Sequence, residues 1–222
     1  LYNKQIGKDA SSVILGDIGA ASTSANRTTK LDANTSQLIL TGDCSINGTG
    51  NALNNLIQGN NGSNVLDGGL GNDILLGGAG DDTYIVDSAF DTVTEGVNTG
   101  IDTVSSSVDW VLGENIENLS LTGKNTINGT GNNLNNTISG NNMNNILDGG
   151  AGNDMLTGGG GDDFYIVDST GDVIREKFYE GIDTVKSSVS WTLGANLENL
   201  ILAGSDAIDG KGNASNNILT CL

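Results

Sequence analysis

The residues best suited to chemistry recur at one place in a nine-residue segment. Gly50, Gly59, Gly68 and Gly77 each open such a segment, and so do Gly131, Gly140, Gly149 and Gly158. The sixth residue is Asn55, Asn64, Asp73, Asp82, then Asn136, Asn145, Asp154, Asp163. The eighth is large and apolar or aromatic: Ile57, Leu66, Leu75, Tyr84, then Ile138, Leu147, Leu156, Tyr165. Carboxylates in register beside glycine turns suit the coordination of a hard cation. With no histidine in the chain, the usual general base, the Ser-His-Asp and Cys-His arrangements and the common zinc ligand are all missing. No catalytic residue is expected.

The elements that must hold these carboxylates follow from the same segment. Its glycine-rich first part turns tightly, because glycine takes positive φ at little cost. Its last part, often apolar or β-branched, reads as a short strand. Two segments make one coil, and stacked coils make two parallel sheets. The predicted fold is all-β, a right-handed parallel β-roll or β-helix solenoid, with the eighth residue pointing inward. Sixth-position carboxylates two segments apart then lie about 4.8 Å from one another. They repel unless a cation sits between them. Calcium takes six to eight oxygens, and the turns offer backbone carbonyls beside the carboxylates.

A longer period overlies the short one, at a constant offset of 81 in the numbering. Leu38–Gly42 returns as Leu119–Gly123, Tyr84–Ser88 as Tyr165–Ser169, Gly100–Val104 as Gly181–Val185, and Trp110 as Trp191. The solenoid is expected over 31–222, with units of about 42–122 and 123–203 and a partial one at 204–222; residues 1–30 match poorly and read as a cap or junction. Between the glycine blocks, residues 86–130 keep alternation in Thr103–Val108 and Asn118–Leu121, which predicts wider or irregular coils. Trp110 and Trp191 read as core or coil-capping residues. Glu95, Asp102, Glu176 and Asp183 recur at the long period and read either as solvated acids or as extra calcium ligands.

Composition narrows the partners. The 222 residues carry 27 acidic and 9 basic side chains, a net charge of −18. That balance disfavours nucleic acid and anionic membrane surfaces and favours cations. No run of about 18 apolar residues predicts membrane insertion. The 34 glycines without proline exclude collagen. The chain opens on Leu1 rather than Met, and is expected to be a mature or trimmed piece. Cys44 and Cys221 stand near opposite ends of the expected solenoid. About ten coils, or ~50 Å along the axis, separate them, far beyond the roughly 7 Å that a disulfide spans; free thiols or a bond between chains remain.

Gly68–Ile85 and Gly149–Ile166 resemble the haemolysin-type calcium-binding nonapeptide repeats of RTX proteins, Gly-Gly-x-Gly-x-Asp-x-(large apolar)-x. Tyr84–Asp87, Gly100–Val104 and Glu117–Leu119 are similar to the longer units of large bacterial surface and secreted RTX proteins. The resemblance implies type I secretion and folding outside the cell once several calcium ions bind. It assigns side-chain ligands to Asp73, Asp82, Asp154 and Asp163. Backbone carbonyls would come from Gly68, Gly69, Gly71, Gly77, Gly78 and Gly80, and from Gly149, Gly150, Gly152, Gly158, Gly159 and Gly161. Asp91 and Asp172, one segment beyond Asp82 and Asp163, should stack over Asp73 and Asp154 and form the tightest sites. Where asparagine replaces the sixth aspartate and the second glycine, as at Asn51, Asn60, Asn132 and Asn141, the turn should bind calcium weakly or substitute stacked amide hydrogen bonds.

Two functions fit this reading. One is a calcium-dependent structural or adhesive module of a secreted or cell-surface bacterial protein, able to stack end to end into a homo-oligomer or filament. The other is the calcium-binding tail of an extracellular protease, lipase or epimerase whose catalytic domain lies elsewhere.

Overall fold

The computed structural model describes residues 21–97, 99–204 and 207–222. Parallel strands stack into a β-solenoid of about 11 turns, without helices among the described residues. Successive strands alternate between two faces. One face begins as a five-stranded sheet, Ala21–Ala25, Thr35–Leu40, Leu56–Gln58, Ile74–Leu76 and Thr92–Thr94. It resumes as a seven-stranded sheet from Trp110–Val111 to Ile218–Cys221. The opposite face is nine-stranded, from Thr29–Lys30 to Val173–Ile174, and is followed by the pair Trp191–Thr192 and Gly210–Lys211. Residues 21–30 thus already supply one strand to each face; residues 1–20 of the expected cap or junction lie outside the described residues.

The break on one face lies between Thr92–Thr94 and Trp110–Val111, and the break on the other between Val173–Ile174 and Trp191–Thr192, its equivalent in the next long repeat. The reason is arithmetical. The long period equals nine segments, an odd number, so each long repeat lands on the face opposite its predecessor. Thr83–Val86 accordingly sits in the nine-stranded sheet and Phe164–Val167 in the seven-stranded one.

Every eighth-position side chain is fully buried: Ile57, Leu66, Leu75, Tyr84, Ile138, Leu147, Leu156 and Tyr165. They stack on their own kind, Ile57 on Leu75, Leu66 on Tyr84, Ile138 on Leu156 and Leu147 on Tyr165, and form one apolar column. Val104 and Leu119 carry it through the irregular coils. Register there departs from the two-segment step: Thr83 pairs with Thr103, Thr103 with Asn118, and Asn118 with Thr137. Trp110 and Trp191 are half-buried against this core. Cys44 and Cys221 are free and exposed.

Because no coil has a core except the one it shares with its neighbours, a hole in the column has little room to collapse. Leu147→Ala should therefore cost about 2–5 kcal/mol, read as a lowered denaturant midpoint with calcium present throughout. A change within about 0.5 kcal/mol would mean the column is not what holds the coils.

Candidate metal centre

Where the sequence has its second and fourth glycines, the backbone turns left-handed: φ is +77° at Gly69 and +138° at Gly71, and +76° and +148° at Gly150 and Gly152. Space forbids a side chain as firmly as torsion does. A Cβ on Gly69 would lie 2.6 Å from the Asn51 carbonyl oxygen one coil below, and one on Gly68 would collide with Asp73 Oδ2. The turns thus press carbonyl and carboxylate oxygens together.

The sixth-position residues form ladders along both edges of the solenoid. On one, Asn55 N–H donates to Asp73 Oδ1 at 2.6 Å, and Asp73 N–H to Asp91 Oδ1 at 2.8 Å. On the other, Asn64 N–H donates to Asp82 Oδ1 at 2.7 Å, Asp82 N–H to Asp102 Oδ1 at 2.7 Å, and Asp102 N–H to Glu117 Oε2 at 2.9 Å. The second repeat copies both: Asn136 to Asp154 to Asp172, and Asn145 to Asp163 to Asp183 to Glu198. Asp91 and Asp172 therefore stack over Asp73 and Asp154 as their spacing predicts. Glu117 and Glu198 extend the ladders, a role that the nine-residue pattern does not announce.

One oxygen of each ladder carboxylate is spent on this backbone bond. In Asp91 and Asp172 the other accepts from local backbone N–H groups, of Asp87 and Ser88 and of Ser169. But Oδ2 of Asp73, Asp82, Asp102, Asp154 and Asp163, and Oε2 of Glu176 outside the ladders, are buried without a hydrogen-bond partner. Native interiors rarely leave polar atoms so, and least of all charged ones. The carbonyls of Gly69, Gly71, Gly78 and Gly80 likewise accept no hydrogen bond among the described residues.

The asparagine turns solve the same problem internally. Asn51 Nδ2 donates to the carbonyls of Asp32 and Thr35 at 2.6 Å each. Asn132 Nδ2 bridges Gly113 and Ile116, and Asn213 Nδ2 bridges Gly194 and Leu197. The second-position amide thus plugs the coil below with two N–H donors, while the sixth-position amide oxygen accepts the N–H of that second residue, as Asn55 does from Asn51 at 2.8 Å. Where glycine takes the second place, as at Gly69, no amide is there to reach the Asn51 carbonyl beneath. Each turn either holds an amide donor or leaves a carboxylate oxygen unpartnered.

Burial with like charges close by raises the acids. Desolvation lifts Asp73 and Asp154 to about 6, helped by Asp91 and Asp172 and opposed by the backbone donors Asn55 and Asn136. The same cause lifts Asp82, Asp102 and Asp163 to about 7, Asp183 to about 6 and Glu176 to about 8. Among the described residues the one salt bridge is Lys177–Glu180, so no basic side chain neutralises the ladders.

Two denser groups stand out. Oxygens of Asp82, Glu95 and Asp102 lie within 4.8 Å of one another, and so do those of Asp163, Glu176 and Asp183. The solvated reading of Glu95, Asp102 and Asp183 fails, since they are 8%, 0% and 1% exposed; Glu176 is half-buried, with Oε2 enclosed. The hydroxyls of Tyr84 and Tyr165 donate to Glu95 and Glu176. Sequence reasoning took those tyrosines as inward apolar residues and had no signal for the hydroxyl's partner.

The donor set, carboxylate and carbonyl oxygen without nitrogen or sulfur, fits calcium. Fold and site together define a calcium-binding β-solenoid. The family model for the RTX calcium-binding nonapeptide repeat, in four copies, matches residues 49–84 and again 130–165, so these two stretches are RTX repeats. Each match has the length of four nonapeptides and ends on the buried tyrosine. No curated protein and no solved structure matches the chain.

Proposed function

We propose that this chain is a calcium-folded structural or adhesive module of a bacterial protein that works outside the cell, secreted or held at the surface. The reading rests on the row of buried carboxylate oxygens that have no partner within the protein. Without an ion, the ladders repel and the coils that carry them separate. With it, binding free energy becomes folding free energy. Such coupling suits a protein exported unfolded into a calcium-rich medium, and RTX repeats are typical of secreted bacterial proteins. Repeats that contact only their neighbours give an extended rod, a shape suited to spacing or adhesion.

Far-ultraviolet circular dichroism during a calcium titration tests this reading. A weak β signal in excess chelator should rise cooperatively with calcium. A full β signal in chelator at neutral pH, unchanged by the ion, would sink it.

A further inference from the structure

The long repeat builds twice a group that the nonapeptide pattern does not contain. Glu95 and Glu176 lie beyond the matched stretches 49–84 and 130–165, yet each reaches two aspartates of successive coils. In the first copy Asp82 Oδ2, Tyr84 Oη and Glu95 Oε1 converge on the Cα of Gly77, where any side chain would collide with all three. In the second, Asp163 Oδ2 and Tyr165 Oη converge on Gly158, whose N–H donates to Glu176 Oε1 at 3.1 Å. Asp82, Asp102 and Asp163 are at most 2% exposed, and each aims an unpartnered Oδ2 from this interior. Three carboxylates so close, buried and without a basic partner, need positive charge.

The two copies differ at one point. Glu95 Oε2 already accepts the Gly96 N–H at 3.1 Å and the Thr99 hydroxyl at 3.0 Å. Glu176 Oε2 is buried and accepts no hydrogen bond, and the Glu180 carboxylate lies beside the Glu176 carboxyl. The counterpart of Thr99 is Glu180, a second acid, which accepts instead from Lys177 N–H at 2.9 Å and Nζ at 3.2 Å. A cation at the first copy must displace two donors to gain that oxygen; at the second it displaces none.

We propose that Glu95 and Glu176 are ligands, each closing a calcium-class site with Asp82 and Asp102 or with Asp163 and Asp183, and that the Glu176 site fills first. The proposal rests on the calcium reading above and adds ligands that the nonapeptide motif lacks. Because the long repeat changes face, Asp82 and Asp163 precede strands of opposite sheets, and the two sites share no ligand.

Terbium, a luminescent stand-in for calcium, reports these sites through the tyrosines that touch them. On the full chain, tyrosine-excited emission should rise in two steps. Tyr165→Phe should remove the tighter and Tyr84→Phe the weaker. Glu176→Gln should weaken the tighter step by at least about tenfold, equivalent to about 1.4 kcal/mol, with the other intact; Glu95→Gln should do the converse. Thr99→Ala, which frees Glu95 Oε2 of one donor, should draw the weaker step toward the tighter. Calcium calorimetry should show the same losses, and circular dichroism in saturating calcium shows which variants fold; the Tyr→Phe and Thr99→Ala results decide the matter if a Gln variant does not. Gln variants that bind calcium and terbium as the unsubstituted chain does would overturn the two sites, and loss of the tighter step in Glu95→Gln would overturn their order. A chain that takes up no calcium at all would instead sink the functional reading on which both rest.

Discussion

In excess chelator the chain should lose its β signal as the pH is raised from about 5 to about 9, and calcium should restore it at the upper end. The direction follows from the raised acids. Aspartates with an ordinary value of 3.8 sit at about 6 to 7 in the fold, and Glu176, ordinarily 4.5, at about 8. The folded state therefore holds protons that the unfolded chain has already released. Stability is fully present below about 4, falls as pH climbs, and is lost once these groups ionise above about 8. Seven such groups contribute, each on the order of 1–3 kcal/mol when charged and unpaired. Together they rival the whole stability of an ordinary domain, about 5–15 kcal/mol. Calcium replaces the proton, so its midpoint concentration should rise as the pH falls below about 7. Circular dichroism at several pH values, with and without calcium, measures both effects. A flat profile in chelator would mean that the carboxylates are neutralised by something other than protons or ions.

Exchanging charge for amide at the nonapeptide edge should have opposite effects with and without the ion. Asp73 and Asp154 are 0% and 1% exposed, and each leaves Oδ2 unpartnered. In Asp73→Asn with Asp154→Asn, the remaining oxygen can still accept from Asn55 and Asn136, and the repulsion from Asp91 and Asp172 disappears. In chelator the variant should be more stable than the unsubstituted chain, by on the order of 1–3 kcal/mol at each site. In saturating calcium it should be less stable, because two of the carboxylates proposed to bind the ion are gone, and its calcium midpoint should rise. Denaturant unfolding under both conditions gives the two numbers. A shift of the same sign in both would show that these aspartates act through backbone geometry alone. The chain already contains the precedent, since Asn55, Asn64, Asn136 and Asn145 hold the same place with no charge.

The short period by itself determined that eighth-position side chains face inward, that sixth-position residues stack, and that Asp91 lies over Asp73. Turn and strand are local, and each coil gives its neighbour the same environment, so one segment's geometry propagates without long-range information. The asparagine turns were half-legible. The asparagines in the motif allowed weak calcium binding or amide bonds, and Asn51 and Asn132 each make the amide bonds, to two carbonyls apiece.

Only the tertiary structure decided the fate of Glu95 and Glu176. The coil that carries Glu95 is a long one, from Thr83 to Thr103, and the next is shorter, from Thr103 to Asn118. Loops of unequal length fix where strands pair, but not where a flexible side chain between them comes to rest. Nor does a pattern that scores tyrosine as a large apolar residue foresee that its hydroxyl will meet the carboxylate of Glu95 or Glu176, which lies just past the end of the next segment. A regular repeat specifies its environment locally, whereas an irregular coil acquires one only when its neighbours have packed around it.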